Sequence, residues 1–224
     1  LSSTNGPLQN HSLQPPASKE ESAVRSPDSK TLIEKLQSIN QAFQQHGYVQ
    51  FRVDDFSETE KLNYHLKSAE GVECHAGRYQ TRGAMVLTDH MWITDPKLAD
   101  LFSFLKNGAL VEFAKISLNQ PEISIGTVLL NTYNKNEFLE RHKDGEYRPD
   151  LVAVLLIYMN PTSDNALEIE LGKGQSIRPN LRAGDCILLS PQLYHTVHPV
   201  ESPRKSLLIE FKDPHYDSRI MRGR

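Results

Sequence analysis

Apolar residues recur along this chain with two different periods, and the change of period divides it. Leu32, Leu36, Ile39 and Phe43 are spaced four, three and four residues apart, which places them on one helical face. Thr31 and Glu34 read as a T-x-x-E capping box at its start, and Gly47 reads as its stop. Residues 48–53 alternate and are rich in β-formers, so a first strand is expected there. A weaker helical pattern covers 57–68. Leu98, Leu101, Phe102, Leu105, Leu110 and Phe113 predict a third helix over 96–116, with Gly108 inside it. Between these helices, residues 71–94 show no clean period yet carry Glu73, His75, Arg78, Tyr79, Arg82, His90 and Trp92. So many polar and aromatic groups in an irregular stretch suit a functional loop or lid better than a spacer.

From Glu122 onward the pattern becomes that of strands, expected at 123–133, 151–159, 167–171, 176–178, 186–189, 195–200 and 204–211. Their separators are turn-formers such as Asn134-Lys135-Asn136, Gly172-Lys173-Gly174 and Ala183-Gly184-Asp185. Short strands at regular turn spacing point to an antiparallel sandwich or barrel with a helical layer in front, an α+β fold that is mainly β. Residues 1–29 are rich in Ser, Pro, Asn and Gln and bury too little to offset their ordering entropy, so a disordered tail is expected. One domain then spans 30–213, followed by a C-terminal extension at 214–224.

Composition narrows the class without naming it. The 224 residues are 38% hydrophobic and 24% charged, ordinary for a globular domain large enough to hold a core without disulfides or a structural metal. A metal in such a domain would serve chemistry. With 25 basic and 28 acidic residues the formal charge is −3, not the basic excess of a non-specific nucleic-acid or anionic-membrane binder. Cys74 and Cys186 are the only cysteines and form no zinc or disulfide framework, which fits a reducing compartment. Cys74-His75 lacks a second ligand pair and is not read as a metal site. No apolar run reaches the roughly 18 residues of a membrane span, and no leader-like N-terminus is visible. An intracellular location, cytoplasmic or nuclear, is the expectation, with no membrane partner.

Candidate chemistry converges in the β half. In His142-Lys143-Asp144 the outer residues share one side of an extended backbone while Lys143 points away. Further on come His195 and His198, either of which strand parity would allow as a third ligand. Arg204 and Ser206 share one face of the last strand. Two histidines and one carboxylate leave coordination positions open, which suits a non-haem Fe(II) that must also bind a cosubstrate and dioxygen. A guanidinium fork beside a hydroxyl is matched to a carboxylate.

Taken together, His142-x-Asp144, His195-Thr196-Val197-His198-Pro199 and Arg204-Lys205-Ser206 resemble the Fe(II)- and 2-oxoglutarate-dependent dioxygenases. The resemblance covers about residues 123–213. It implies a double-stranded β-helix, the jelly-roll or cupin-like core, with N-terminal helices packed on one face. It also implies that His142, Asp144 and His195 bind Fe(II), the nine-residue spacing to Arg204 favouring His195 over His198. Arg204 is implied to pair with the distal carboxylate of 2-oxoglutarate, assisted by Ser206, Tyr133 and Asn131. The implied reaction consumes O2, with ascorbate as a candidate reductant, and couples decarboxylation of the cosubstrate to hydroxylation of an unactivated C–H bond.

Several substrate classes share that pattern. The loop Gly71-Val72-Glu73-Cys74-His75 and the run His142-Lys143-Asp144-Gly145 look faintly like hydroxylases of free aliphatic L-amino acids. Nucleic-acid demethylases of the superfamily share an Asn-x-Tyr nine residues before the first His. They usually carry a second arginine six residues after the first, where this chain has Glu210. Prolyl hydroxylases share the His-x-Val-x-Pro-Val setting. A small molecule such as a free amino acid is therefore the first expectation, then a protein residue, then a methylated base. Arg78, Tyr79, Arg82 and Trp92 are the candidate substrate contacts. The competing reading of another class is a catalytically silent β-sandwich binding module.

Overall fold

The computed structural model describes residues 29–53, 59–70, 83–87, 96–146, 148–160 and 164–216. Residues 1–28 of the N-terminal tail, the C-terminal extension beyond 216 and the candidate contacts Arg78, Tyr79, Arg82 and Trp92 lie outside the described residues, while Ser29 already belongs to the first helix. Helix α1 (Ser29–His46) buries Leu36, Ile39 and Phe43. It begins two residues before Thr31, so Thr31 lies inside the helix rather than capping it; Ser and Lys cost little in a first turn. The helix stops at Gly47, whose N–H bonds the Phe43 carbonyl at 2.7 Å and whose φ is +72°. The dihedral favours glycine, and a Cβ there would also crowd Leu193 Cδ1 at 3.0 Å.

Three more helices follow: α2 (Thr59–Glu70), α3 (Pro96–Asn107) and α4 (Ala109–Leu118). The single helix expected over 96–116 is thus two, because Gly108 takes an extended backbone (φ −108°, ψ −168°) and starts a new helix through its own carbonyl. Glycine loses more conformational freedom in a helix interior than any other residue, which makes this the weakest point of the run.

The strands are β1 (Tyr48–Arg52), β2 (Gly83–Leu87), β3 (Ser124–Tyr133), β4 (Leu139–His142), β5 (Leu151–Tyr158), β6 (Leu167–Gly172), β7 (Gln175–Ile177), β8 (Asp185–Leu189), β9 (His195–Val197) and β10 (Arg204–Lys212). They form two antiparallel sheets, β1-β8-β5-β10-β3-β2 and β4-β9-β6-β7. Strand β2 lies in the stretch expected to be irregular and pairs with β3; five residues give too short an apolar run to show a period. Strand β4 was likewise not expected, since Glu140 and Arg141 break its apolar alternation.

Two cores hold these layers. One fills the space between the helices and the six-stranded sheet, with Leu101, Leu105, Phe113, Leu155, Ile157, Leu207 and Phe211 among its members. The other lies between the two sheets and includes Tyr133, Tyr158, Ile169, Ile187 and Val197. Burial of each large apolar side chain contributes about 1.5–3 kcal/mol. The larger sheet is therefore buried on both faces, and β10 at its middle divides its residues between them. Leu207, Ile209 and Phe211 face the helices, while Arg204, Ser206, Leu208 and Glu210 line a cavity on the other side.

Candidate metal centre

Strand pairing brings the two histidines together. His142 ends β4, His195 begins β9, and the two are register partners with ring centroids 4.2 Å apart. Asp144 is not on the strand, as the alternation reading expected, but opens a one-turn 3-10 helix over Asp144–Glu146. That turn is fixed from outside: the Gly145 N–H bonds the Pro191 carbonyl at 2.8 Å. Asp144 Oδ1 then lies 3.4 Å from His142 Nε2, and Oδ2 lies 3.7 Å from His195 Nε2. One ligand atom from each of the three residues falls within 4.8 Å of the others, an arrangement that could hold one metal ion. Lys143 points away, its Nζ 4.3 Å from the centre of the Tyr194 ring, which also stacks under Arg141 at 3.5 Å.

His198 belongs elsewhere. It follows β9, and its Nε2 sits 2.6 Å from Glu168 Oε2 in a surface cluster with Arg178. Hydrogen bonds from Ser176, His198 and Arg178, in that order, hold the Glu168 carboxyl well below the usual range, at about 2.

The cavity beneath the triad measures about 110 Å³ and is walled by the inward faces of β3, β5 and β10. Register sets its layers. Arg204 pairs with Tyr133; Ser206 lies between Asn131 and Tyr158; Leu208 lies between Leu129 and Leu156. Arg204 is 1% exposed, and its guanidinium lies 5.4 Å from the Tyr133 ring and 5.5 Å from the Tyr158 ring.

Two residues at this end carry no signal in the sequence. Asp164 lies 3.0 Å from Arg204 Nε, close enough to balance its charge though without hydrogen-bond alignment. Tyr158 donates to the same carboxylate at 3.2 Å. Burial pushes the Tyr158 phenol upward, and the neighbouring Asp164 charge adds to this. Asp164 is itself held by mutual backbone bonds with Leu181 at 2.8 Å and by the Ala166 N–H.

What remains unsatisfied tells what the cavity could bind. Among the described residues, Arg204 Nη2, Ser206 Oγ and Asn131 Oδ1 are buried without a hydrogen-bond partner. Leaving such groups unpaired costs about 1–3 kcal/mol each, more for a charged one. A guanidinium edge and a hydroxyl on one cavity wall suit a carboxylate-bearing ligand, to which Asn131 can offer only its amide N–H and not its oxygen, and Asp164 leaves the Nη2 edge available to it. The donor set His142, Asp144 and His195 suits Fe(II) with open positions. Both implied groups therefore fit the residues present.

No sequence-family profile and no curated protein matches the chain. Solved structures do. An oxidoreductase of the 2OG-Fe(II) oxygenase family from Burkholderia pseudomallei superposes with a TM-score of 0.67 at 15% identity, covering 82% of this chain and 93% of that one. A prolyl-4-hydroxylase from Pseudomonas putida gives 0.59 at 18% identity, covering 79% and 98%. The chain has the fold of these oxygenases. The epimerase SnoN, solved with Fe3+, alpha-ketoglutarate and a nogalamycin compound, gives 0.60 at 12% identity over 80% of this chain and 84% of that one. The expected jelly-roll core with helices on one face is the fold observed.

Proposed function

We propose that the protein is an Fe(II)- and 2-oxoglutarate-dependent dioxygenase that hydroxylates an unactivated C–H bond of a small molecule such as a free amino acid, releasing succinate and CO2. The observation that carries this reading is one cavity lined both by the His142, Asp144 and His195 cluster and by the buried, unpartnered edge of Arg204.

Fe(II) bound by the three side chains would supply the chemistry that activates dioxygen. The protein's own residues hold and shield. His142 and His195 turn Nδ1 toward the carbonyls of Glu140 and Leu193, which fixes both rings. Arg204, with its charge balanced by Asp164, receives the distal carboxylate of the cosubstrate on its Nη2 side. Ser206 and Asn131 supply the neighbouring hydrogen-bonding groups. Leu129, Leu156, Leu208 and Val197 keep water from the space between.

Anaerobic addition of Fe(II) and then 2-oxoglutarate tests the reading. A weak visible absorption band is expected only when both are present, followed in air by slow succinate release. Absence of both the band and succinate would sink the oxygenase reading and favour a silent binding module.

A further inference from the structure

The cavity has a second polar end. Counting along β10, Glu210 lies six residues beyond Arg204 on the same face, about 20 Å at the usual strand rise of ~3.3 Å per residue. The leucine layer of Leu129, Leu156 and Leu208 separates the two ends.

Hydrogen-bond accounting at this end leaves one carboxylate oxygen and one guanidinium N–H over. Arg148 gives Nε and Nη2 to the two oxygens of Asp150 at 3.0 and 3.1 Å. Its Nη1 serves Glu210 Oε2 at 2.9 Å and Thr127 Oγ1 at 3.3 Å. Four of the five N–H donors of the guanidinium are thereby used, and both Asp150 oxygens are occupied. Glu210 Oε2 also accepts the Thr127 N–H at 3.2 Å. Among the described residues, Glu210 Oε1 has no hydrogen-bond partner. Lys212 lies close enough to Asp150 to act on its charge, and each Asp150 oxygen already accepts from Arg148. On the cavity lining, which includes the candidate metal ligands, the group left to a ligand is thus the carboxylate oxygen Oε1 of Glu210.

We infer that Glu210 Oε1 recognises the substrate through a protonated amine, so that the enzyme takes amine-bearing small molecules and rejects their hydroxyl isosteres. This rests on the oxygenase reading, which supplies the reaction, and adds the chemical class of its substrate. An ammonium group gives a charge-assisted hydrogen bond to Oε1 that a hydroxyl does not match. Arg148 holds the other oxygen of Glu210, so that the free oxygen has one orientation. The arginine that nucleic-acid demethylases place at this position would present the opposite charge.

The test uses the twenty common L-amino acids, each beside the 2-hydroxy acid in which the ammonium is replaced by hydroxyl. Binding is read by saturation-transfer NMR on the full chain, with and without Fe(II) and 2-oxoglutarate, and succinate release is read alongside. At least one amino acid is expected to bind tenfold or more tightly than its 2-hydroxy partner. That ratio should fall to within about twofold in Glu210→Gln, with an unchanged melting temperature showing the variant intact. In Arg148→Gln, which removes the cation but keeps the acceptor, the preference for the amine should persist. Preference surviving Glu210→Gln, or equal loss in both variants, overturns the inference, as does the absence of any amino-acid binding. The visible band with Fe(II) and 2-oxoglutarate is scored separately, so a failed oxygenase reading and a failed Glu210 role give different results.

Discussion

His142 and His195 are register partners across β4 and β9, and each turns its Nδ1 toward the carbonyl of the residue two positions before it. A carbonyl can only accept, so Nδ1 carries the ring proton and the Nε2 lone pair is left facing Asp144. The strand ladder and the imidazole orientation thus have a common origin. His142→Ala or Asp144→Ala should abolish the Fe(II) and 2-oxoglutarate absorption band while far-ultraviolet circular dichroism stays unchanged. Retention of the band in either variant would show that the cluster is not the metal site.

Gly145 is the second lever on this cluster. A Cβ there would meet Gln192 Nε2 at 2.6 Å and the Pro191 carbonyl at 2.9 Å. The amide is a flexible side-chain end and can move aside, whereas the carbonyl is backbone. Gly145→Ala should therefore push the 3-10 turn off Pro191 and shift Asp144 with it. Loss of such outer support typically lowers metal affinity about 10- to 100-fold. Fe(II) titration of the variant measures this, and wild-type affinity would mean that the turn relaxes without moving the carboxylate.

Arg204 and Asp164 form a buried pair whose halves depend on each other. Removing one partner of such a pair costs about 3–5 kcal/mol, because the other charge stays in a poor solvent for it. Asp164→Ala should be destabilised on that scale in urea unfolding. The milder Asp164→Asn should instead raise the KM for 2-oxoglutarate about tenfold, leaving Fe(II) affinity unchanged, since Asp164 acts through Arg204. Equal losses of metal and cosubstrate affinity would point to disturbed folding rather than a loosened guanidinium.

The Glu168 cluster predicts a pH dependence of stability that is separate from catalysis. Its carboxyl sits at about 2 in the folded chain against an ordinary value of 4.5. A depressed carboxyl contributes stability that is fully present above the unfolded value and lost as pH falls through the folded one. The melting temperature should therefore decline between about pH 4.5 and 2, and decline less steeply in Glu168→Gln. Parallel curves for the two proteins would remove Glu168 from the acid response. Its partner Arg178 is half exposed, so added salt should flatten the difference.

The helices, the long strands and the triad were legible because each rests on a local pattern. Leu36, Ile39 and Phe43 announce their helix by spacing, and β5 and β10 announce themselves as apolar runs. The choice between His195 and His198 was not local. Parity allowed either, and what separates them is that β9 ends at Val197, leaving His198 to turn outward to Glu168. Asp164 was illegible for a different reason: nothing nearby in sequence says that a residue between two strands will meet a guanidinium 40 positions later. Strand β2 exists through its pairing with β3, which only the folded sheet supplies. Glu210 could be read from sequence as the lack of a second arginine, but not as one end of a cavity.

Strand β10 carries Arg204, Ser206, Leu208 and Glu210 toward the cavity and Leu207, Ile209 and Phe211 into the core beneath the helices. Side chains on a strand alternate with a period of two, so losing one residue within it exchanges the two sets. A single-codon deletion between Arg204 and Glu210 would send a guanidinium or a carboxylate into the helix-facing core and aliphatic side chains into the binding space. Conversely, the β10 residues facing the helices cannot be varied freely without moving those that face the ligand. Recognition at both ends of the cavity and the stability of the sheet are therefore inherited together, as one reading frame of side chains.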